Sequence, residues 1–527
     1  MQQKITLKLL PFEAADDLII KKYIAAAAQT KITSITGFYI QKKSIDARGK
    51  SIYVNLTITA FINEPFILPN TFIPKFKNVF DSKKSVIIIG TGPAGIFAAL
   101  MLLEKGIKPI LLERGKDVRA RRRDLAKLNK EGYVNPESNY CFGEGGAGTY
   151  SDGKLYTRSN KRGNIDRILQ LFVHFGAMPN IASDSHPHIG TNKLPQIISA
   201  MHQQIRDCGG EVLFEKKVVD FIIKKDKVES IKTLDGNLFS ADAFILATGH
   251  SARDIFELLQ NKKILIEAKP FALGVRIEHT QKLIDSIQYH CKLDRDIDLP
   301  ASSYSLVQQV NNRGVFSFCM CPGGIIAPAA TNERELVVNG WSPSKRNSPY
   351  ANSGMVVQVE LNDVITFLKT EGYTDLENDP LVFMKFQKLI EQKAFIAGGG
   401  NLVAPAQRMI DFVNKNESKN LPSNSYLPGL KSVKLDTVLP NFIYESLAEG
   451  FKYFGKKLKG YLTNDAVVVA VESRTSSPVR IPRNTETLQH PQLLNLYPCG
   501  EGAGYAGGIV SAAMDGERVA LKISELI

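Results

Sequence analysis

The chain has 527 residues, too many for one compact core, and its 44% hydrophobic and 23% charged residues are those of a globular protein. Six scattered cysteines exclude a disulfide framework; only Cys319 and Cys321 stand close, as C-x-C without the companions a zinc site needs. The net charge of +13 admits nucleic acid, an acidic surface or anionic small molecules as partners, but no Lys/Arg stripe with interleaved aromatics singles out the first.

Residues 1–81 read as a small α+β domain of β-α-β-β order. Ile5–Leu9 alternates as a strand, Ala14–Gln29 has helical spacing, and Ile52, Val54, Leu56 and Ile58 share a strand face. Lys8, Glu13, Asp16 and Asp17 break up the apolar residues near Met1, so no export signal is read and the cytoplasm is the expected location. Pro65, Pro69 and Pro74 mark a linker. The longest apolar stretch, Val86 to Leu103, carries Gly90, Gly92, Pro93 and Gly95 in its middle, which predicts strand–turn–helix and not a membrane span. The basic run Arg119, Arg121, Arg122 and Arg123 is expected on a solvated helix face. Helices are expected at 165–175, 193–208, 381–395 and 445–458, and strands at 212–214, 218–224, 227–234, 243–246 and 466–471.

Four β-type residues, Val86 to Ile89, lead into Gly90-Thr-Gly92-Pro93-Ala94-Gly95, an apolar helix and a second strand ending at Glu113. Here Gly90 makes the tight turn, Gly92 admits a diphosphate to the backbone, and Gly95 lets helix and strand pack closely. Glu113, 23 residues past Gly90, stands where a carboxylate grips a ribose, with Arg114 beside it. A glycine block follows, with Gly145, Gly146, Ala147, Gly148, Thr149 and Ser151, whose small residues suit close approach to a ligand. Val218 opens a strand expected near the cofactor, and Ala247-Thr248-Gly249 ends another. The C-terminal block runs through Gly500, Glu501, Gly507, Gly508, Ile509 and Ser511 into a small-residue helix.

The C-terminal block resembles the second FAD fingerprint of glutathione-reductase-like flavoproteins, in which an acidic residue, here Glu501, reaches the ribitol. Ala247-Thr248-Gly249 resembles their middle fingerprint. Nearly the whole chain resembles the bacterial FAD-dependent dehydrogenases often labelled NAD-utilising dehydrogenases. The resemblance rests on Gly143–Leu155, His188-Ile-Gly-Thr191, Gly249–Arg253, Lys269–Arg276, Phe318–Gly324, Asn339-Gly340 and Arg474–Arg480; Trp341 departs from it, standing where Met is expected. It implies FAD, a flavin fold and a redox role.

The expected fold is α/β. A Rossmann-type, three-layer FAD-binding domain with a parallel sheet spans 82–264 and 433–527. A β-rich α+β substrate domain is inserted at 265–432, and the small α+β domain precedes both. No second G-x-G-x-x-G unit lies between 250 and 440, so NAD(P)H, a candidate electron donor, would bind without its own Rossmann domain. The expected function is hydride transfer between a small organic substrate and the flavin. A flavoprotein of tRNA modification and a non-catalytic flavin sensor remain as alternatives. Cys319, Cys321 and Arg474 are the candidate catalytic residues: two thiols before a Pro-Gly turn, and a cation suited to a substrate carboxylate or the flavin edge. His250, Arg253 and Arg276 are weaker candidates, and His186 and His188 lack the companions for a metal.

Overall fold

The computed structural model describes residues 1–67, 72–157, 163–292 and 294–527; Pro69 of the expected linker lies outside them. A five-stranded parallel sheet holds, in order, Leu496–Pro498, Ala243–Leu246, Ser85–Ile89, Lys108–Leu112 and Glu211–Leu213. Its central strand is apolar at every inner position because both faces are covered. Val86 and Ile88 enter the core shared with the helices Pro93–Lys105 and Ile509–Leu526, while Ile87 and Ile89 enter the core on the other side. The helix Pro93–Lys105 is apolar around its circumference for the same reason: the sheet and the C-terminal helix enclose it.

A seven-stranded mixed sheet forms a second body, in the order Val307–Val310, Arg313–Cys321, Tyr350–Val359, Phe271–Thr280, Val467–Glu472, Ala404–Arg408 and Leu430–Ser432. The helices Val382–Gly398 and Asn441–Lys457 pack on it in one core. This corrects the reading that gave everything after 432 to the nucleotide-binding part. Val467–Glu472 bonds to Phe271–Thr280 and Ala404–Arg408, and of the later strands only Leu496–Pro498 joins the parallel sheet. The chain's two crossings between the bodies lie side by side, Glu267–Ala268 paired antiparallel with Val479–Arg480.

The N-terminal residues form a three-stranded sheet in the order Gln2–Leu9, Tyr53–Ile62, Ile35–Asp46, with the helix Asp17–Ala27 on one face. Asp16 caps that helix by accepting Leu18 N–H at 2.7 Å and Ile19 N–H at 3.3 Å. The long strand Ile35–Asp46 supplies the second strand of the expected β-α-β-β order, which the sequence left unplaced because Lys42, Lys43 and Ser44 interrupt its alternation. It docks to the rest of the chain through Lys43 N–H to Ser183 O at 2.8 Å and Ser185 N–H to Lys43 O at 3.0 Å. No helix among the described residues is long and apolar enough to cross a membrane.

Candidate active site

The turn after Ser85–Ile89 is built on steric necessity. Gly90 has φ +106°, and a Cβ there would stand 2.5 Å from Ala247 O; a Cβ on Gly95 would collide with Gly90 O. Gly92 differs. Its φ is −67°, which any residue adopts, and its Cβ would meet nothing within 4 Å. That space lies off the N-terminus of Pro93–Lys105, whose unpaired N–H groups attract a diphosphate.

Glu113, at the end of the next strand, is buried and fully engaged. Its Oε2 accepts Thr91 N–H at 3.0 Å and Thr91 O–H at 2.7 Å; its Oε1 accepts Gly115 N–H at 2.9 Å and Gly143 N–H at 3.0 Å. It therefore ties the turn to the glycine block. Gly145 N–H donates to Thr91 O at 3.0 Å. A Cβ on Gly146 would stand 3.0 Å from Gly92 Cα, and one on Gly148 would stand 3.3 Å from Ile509 and 3.4 Å from Pro93. Inside the block, Thr149 donates to Glu144 O and Ser151 to Gly148 O, each at 2.8 Å. Val218 follows directly on this framework, since Lys216 N–H bonds Glu113 O at 2.8 Å. Arg114 is committed to Glu137 at 2.7 Å and Asp254 at 2.8 Å.

Arg119, Arg122 and Arg123 are exposed, as expected of a solvated basic face, but Arg121 is not. It is 0% exposed and sits behind the glycine block. Its guanidinium donates to the carbonyls of Asn139 at 2.9 Å, Tyr140 at 3.0 Å, Gly143 at 3.2 Å, Glu144 at 2.7 Å and Gly146 at 2.8 Å. Its guanidinium binds carbonyls and not a carboxylate, with the buried Glu113 and Glu144 close enough to offset part of its charge, so a partly compensated cation stands beneath the segment that lies against Gly92.

The C-terminal block closes on the same place. A Cβ on Gly500 would stand 2.8 Å from Ala94 Cβ, and one on Gly502 would collide with Gly249 O. Asp515, which sequence reasoning missed, accepts Gly500 N–H at 2.8 Å and pairs with Arg483 at 2.6 Å. Gly507 and Gly508 are exposed at the start of Ile509–Leu526, and Ser511 donates to Gly508 O at 3.0 Å. Blocks more than 400 residues apart thus form one cradle. It offers a helix N-terminus, room that a side chain would fill, and a buried guanidinium bound to carbonyls. The residues present fit FAD.

A second polar cluster meets the cradle's outgoing loop. Lys154 Nζ lies 3.8 Å from Cys321 Sγ and 3.7 Å from Asp152 Oδ2. Arg346 binds Asp152 at 2.8 Å, and Arg276 binds Glu472 at 2.7 Å, Asn352 Oδ1 at 2.6 Å and Cys319 O at 3.3 Å. Cys319 is exposed and Cys321 buried. Burial raises the Cys321 thiol, against the pull of Lys154. It stays protonated near neutrality, which is not the setting of an activated nucleophile.

Arg474 lies elsewhere, in a buried network. It binds Glu391 at 3.0 Å, Glu335 at 3.3 Å and Thr331 at 2.8 Å, and its side chain is 4% exposed. Arg253 binds the same carboxylates at 2.9 and 3.1 Å. Burial works to raise Glu391, but the two arginines hold it down to about 2. Burial, with Arg474 and Arg253 adding to it, pushes His250 down to about 4. The charge expected to face substrate is therefore matched inside the protein. His188 bonds Ser344 O at 3.2 Å, and His186 packs on Tyr156.

Three family models match the chain. One described as pyridine nucleotide-disulphide oxidoreductase covers residues 84–283, one described as FAD-dependent protein, C-terminal domain-like, covers 270–475, and a domain of unknown function covers 1–61. An uncharacterised protein of Clostridium beijerinckii is 40% identical over 529 residues, covering 97% of this chain and 96% of that one. Thiamine thiazole synthase of Methanococcus vannielii is 25% identical over 191 residues, 34% of this chain and 61% of that one. Among solved structures, 2,6-dihydroxypyridine-3-hydroxylase from Arthrobacter nicotinovorans is similar over 84% of each chain, with 10% identity and a TM-score of 0.37. The parallel sheet, the glycine cradle and the matched models define an FAD-dependent oxidoreductase. The chain belongs to the FAD/NAD(P)-binding flavoprotein family that includes the Clostridium beijerinckii protein.

Proposed function

We propose that a small organic substrate meets the flavin where the glycine cradle gives way to the seven-stranded sheet, with Cys319 and Cys321 on the pocket wall. The contact of Lys154 with Cys321 supports this reading, because Lys154 ends the loop that begins in the cradle. When bound, FAD supplies the hydride chemistry. Gly92 and the N-terminus of Pro93–Lys105 hold the diphosphate, Glu113 fixes the turn, and Gly507, Gly508 and Ser511 approach the cofactor at the second helix start. Arg474 and Arg253 are positioning residues: they lock the segment after Gly249 to the second body. We place the parts of the chain at 1–81, 82–268, 269–478 and 479–527, and the protein in the cytoplasm, which agrees with six unpaired cysteines.

The experiment is anaerobic mixing of the purified protein with NADH or NADPH, followed at the flavin band near ~450 nm. Bleaching by one of them is expected, with colour restored by air. A flavin untouched by both would remove the nicotinamides as donors.

Glu501 adds a pH dependence. Burial pushes its carboxyl up to about 7, with Lys269 opposing. Raised in the folded protein, it is neutral below that value and charged above it. Above it, the carboxylate repels an anionic cofactor; below it, the carboxyl can donate a hydrogen bond. FAD affinity is therefore expected to rise as pH falls from about 8 to about 6. Glu501→Gln should flatten the profile of FAD fluorescence titrations, and an unchanged slope would show that Glu501 does not sense the cofactor.

A further inference from the structure

Charge in the Lys154 cluster is unevenly matched. Arg276 and Glu472 close on each other in the interior, at 0% and 1% side-chain exposure. Arg346 takes Asp152 at 2.8 Å. Lys154 is left with the far side of that same Asp152 oxygen at 3.7 Å and with the thiol of Cys321. Its side chain is 36% exposed, so it is both accessible and the surplus cation of the group. Burial pushes His188, close by, downward, and Arg346 adds to the effect, so that ring contributes no further charge near neutrality.

Unmet hydrogen-bonding groups lie in the same cluster. Asn352, 0% exposed, turns Oδ1 to Arg276, and its Nδ2 has no partner among the described residues. Arg346 donates through Nη2 to Asp152 while its buried Nε has no partner there. Buried donors without acceptors are costly and rare. The surplus ammonium is the accessible donor of the cluster, and it suits a negatively charged ligand. The orphan groups of Asn352, Arg346 and Asp152 lie buried in the cluster behind it. An accessible ammonium at the edge of such a polar cluster is the donor that a carboxylate takes.

We propose that this cluster is the substrate's anion site, that the substrate is a small organic carboxylate, and that Lys154 is the residue that binds its charge. The proposal rests on the reading that the Cys319–Cys321 strand faces the substrate. It also gives the buried Cys321 thiol a role as a neutral, polarisable wall beside the bound anion.

Cys319 is an internal reporter, since its exposed thiol belongs to the strand whose Cys321 touches Lys154. The FAD-loaded protein is treated at about pH 9 with iodoacetate or iodoacetamide, and modification of Cys319 is followed by peptide mass spectrometry. The two reagents deliver similar groups to sulfur and differ in charge, so their rate ratio cancels the thiol's own pKa. Relative to the ratio for free N-acetylcysteine, Cys319 is expected to favour iodoacetate on the order of tenfold. Lys154→Gln should bring the ratio to within about twofold of the free thiol, and Lys154→Arg should keep it high. A wild-type ratio equal to that of N-acetylcysteine, or a ratio untouched in Lys154→Gln, overturns the proposal. Should neither reagent modify Cys319, the flavin difference spectrum on titration with succinate against succinamide decides. A saturable change with succinate alone, lost in Lys154→Gln, is expected, and no such change overturns the site. Neither readout needs flavin reduction, so failure here is distinct from failure of NADH and NADPH to bleach.

Discussion

Arg121→Met is expected to yield a protein that melts far below wild type and retains little FAD. The substitution strips the carbonyls of Asn139 and Tyr140 of the donor they have, and takes one of two donors from those of Gly143, Glu144 and Gly146, which keep Gly146 N–H, Thr149 O–H and Thr149 N–H. A buried acceptor stripped of its partner costs about 1–3 kcal/mol, so the two fully stripped carbonyls set a loss on the order of 3 kcal/mol. That is a large part of the ~5–15 kcal/mol that holds a protein folded. The cofactor loss has a second source, since the buried cation behind the Gly146–Gly92 contact attracts an anionic diphosphate. Arg121→Lys separates the two: it keeps the charge but has too few donors for five carbonyls. It should melt low yet bind FAD with nearly the wild-type dependence on salt. Thermal melts and FAD titrations at two salt concentrations make the comparison. An Arg121→Met protein with the wild-type melting temperature and full FAD would refute this account of the glycine block.

Arg474→Met is expected to cost about 3–5 kcal/mol of stability while leaving the cradle intact. Glu391 and Glu335 share two arginines, and removing one leaves two buried carboxylates on Arg253 alone. Arg474 is one of the two cations that hold Glu391 low against burial, so its removal lets that carboxyl rise, and proton uptake relieves only part of the loss. Urea unfolding should show the drop, and the flavin spectrum of the folded fraction should not change. Wild-type stability together with a raised KM would return Arg474 to the substrate pocket.

The nucleotide cradle was legible in the sequence because its glycines recur at fixed spacing, Gly90 and Gly95 answering a steric demand of the chain and Gly92 leaving room beside the helix N-terminus. The turn at Gly90 and the helix approach at Gly95 are local, and a local pattern survives without knowledge of the fold. Arg121 was misread because Arg119, Arg122 and Arg123 surround it and a basic run suggests water. The signal was nevertheless present: Val118, Arg121, Leu125 and Leu128 form one buried helix stripe, with arginine at an apolar position. Asp515 gave a weaker sign, a carboxylate that follows directly on the small apolar first turns of its helix. The strand Val467–Glu472 was recognised, but apolar runs do not say which sheet they join; its pairing with Phe271–Thr280 is a long-range fact. Lys154 was part of a quoted motif, yet nothing in the sequence connects it to Cys321, 167 positions away. Arg474 suggested a ligand because a cation stands there beside hydroxyls and a Pro-fixed backbone, and its partners Glu335 and Glu391 lie on segments with no local connection to it.

The central claim is that FAD occupies the cradle that Gly92 keeps open, and it is tested by absorbance of the purified wild-type and Gly92→Val proteins near ~450 nm, with the released cofactor quantified after denaturation. The wild type should carry close to one FAD per chain, released intact on denaturation. Gly92→Val should be folded and colourless, because its backbone accommodates any residue while its side chain fills the space beside the helix N-terminus. A colourless wild type, or Gly92→Val with full FAD, would contradict the account.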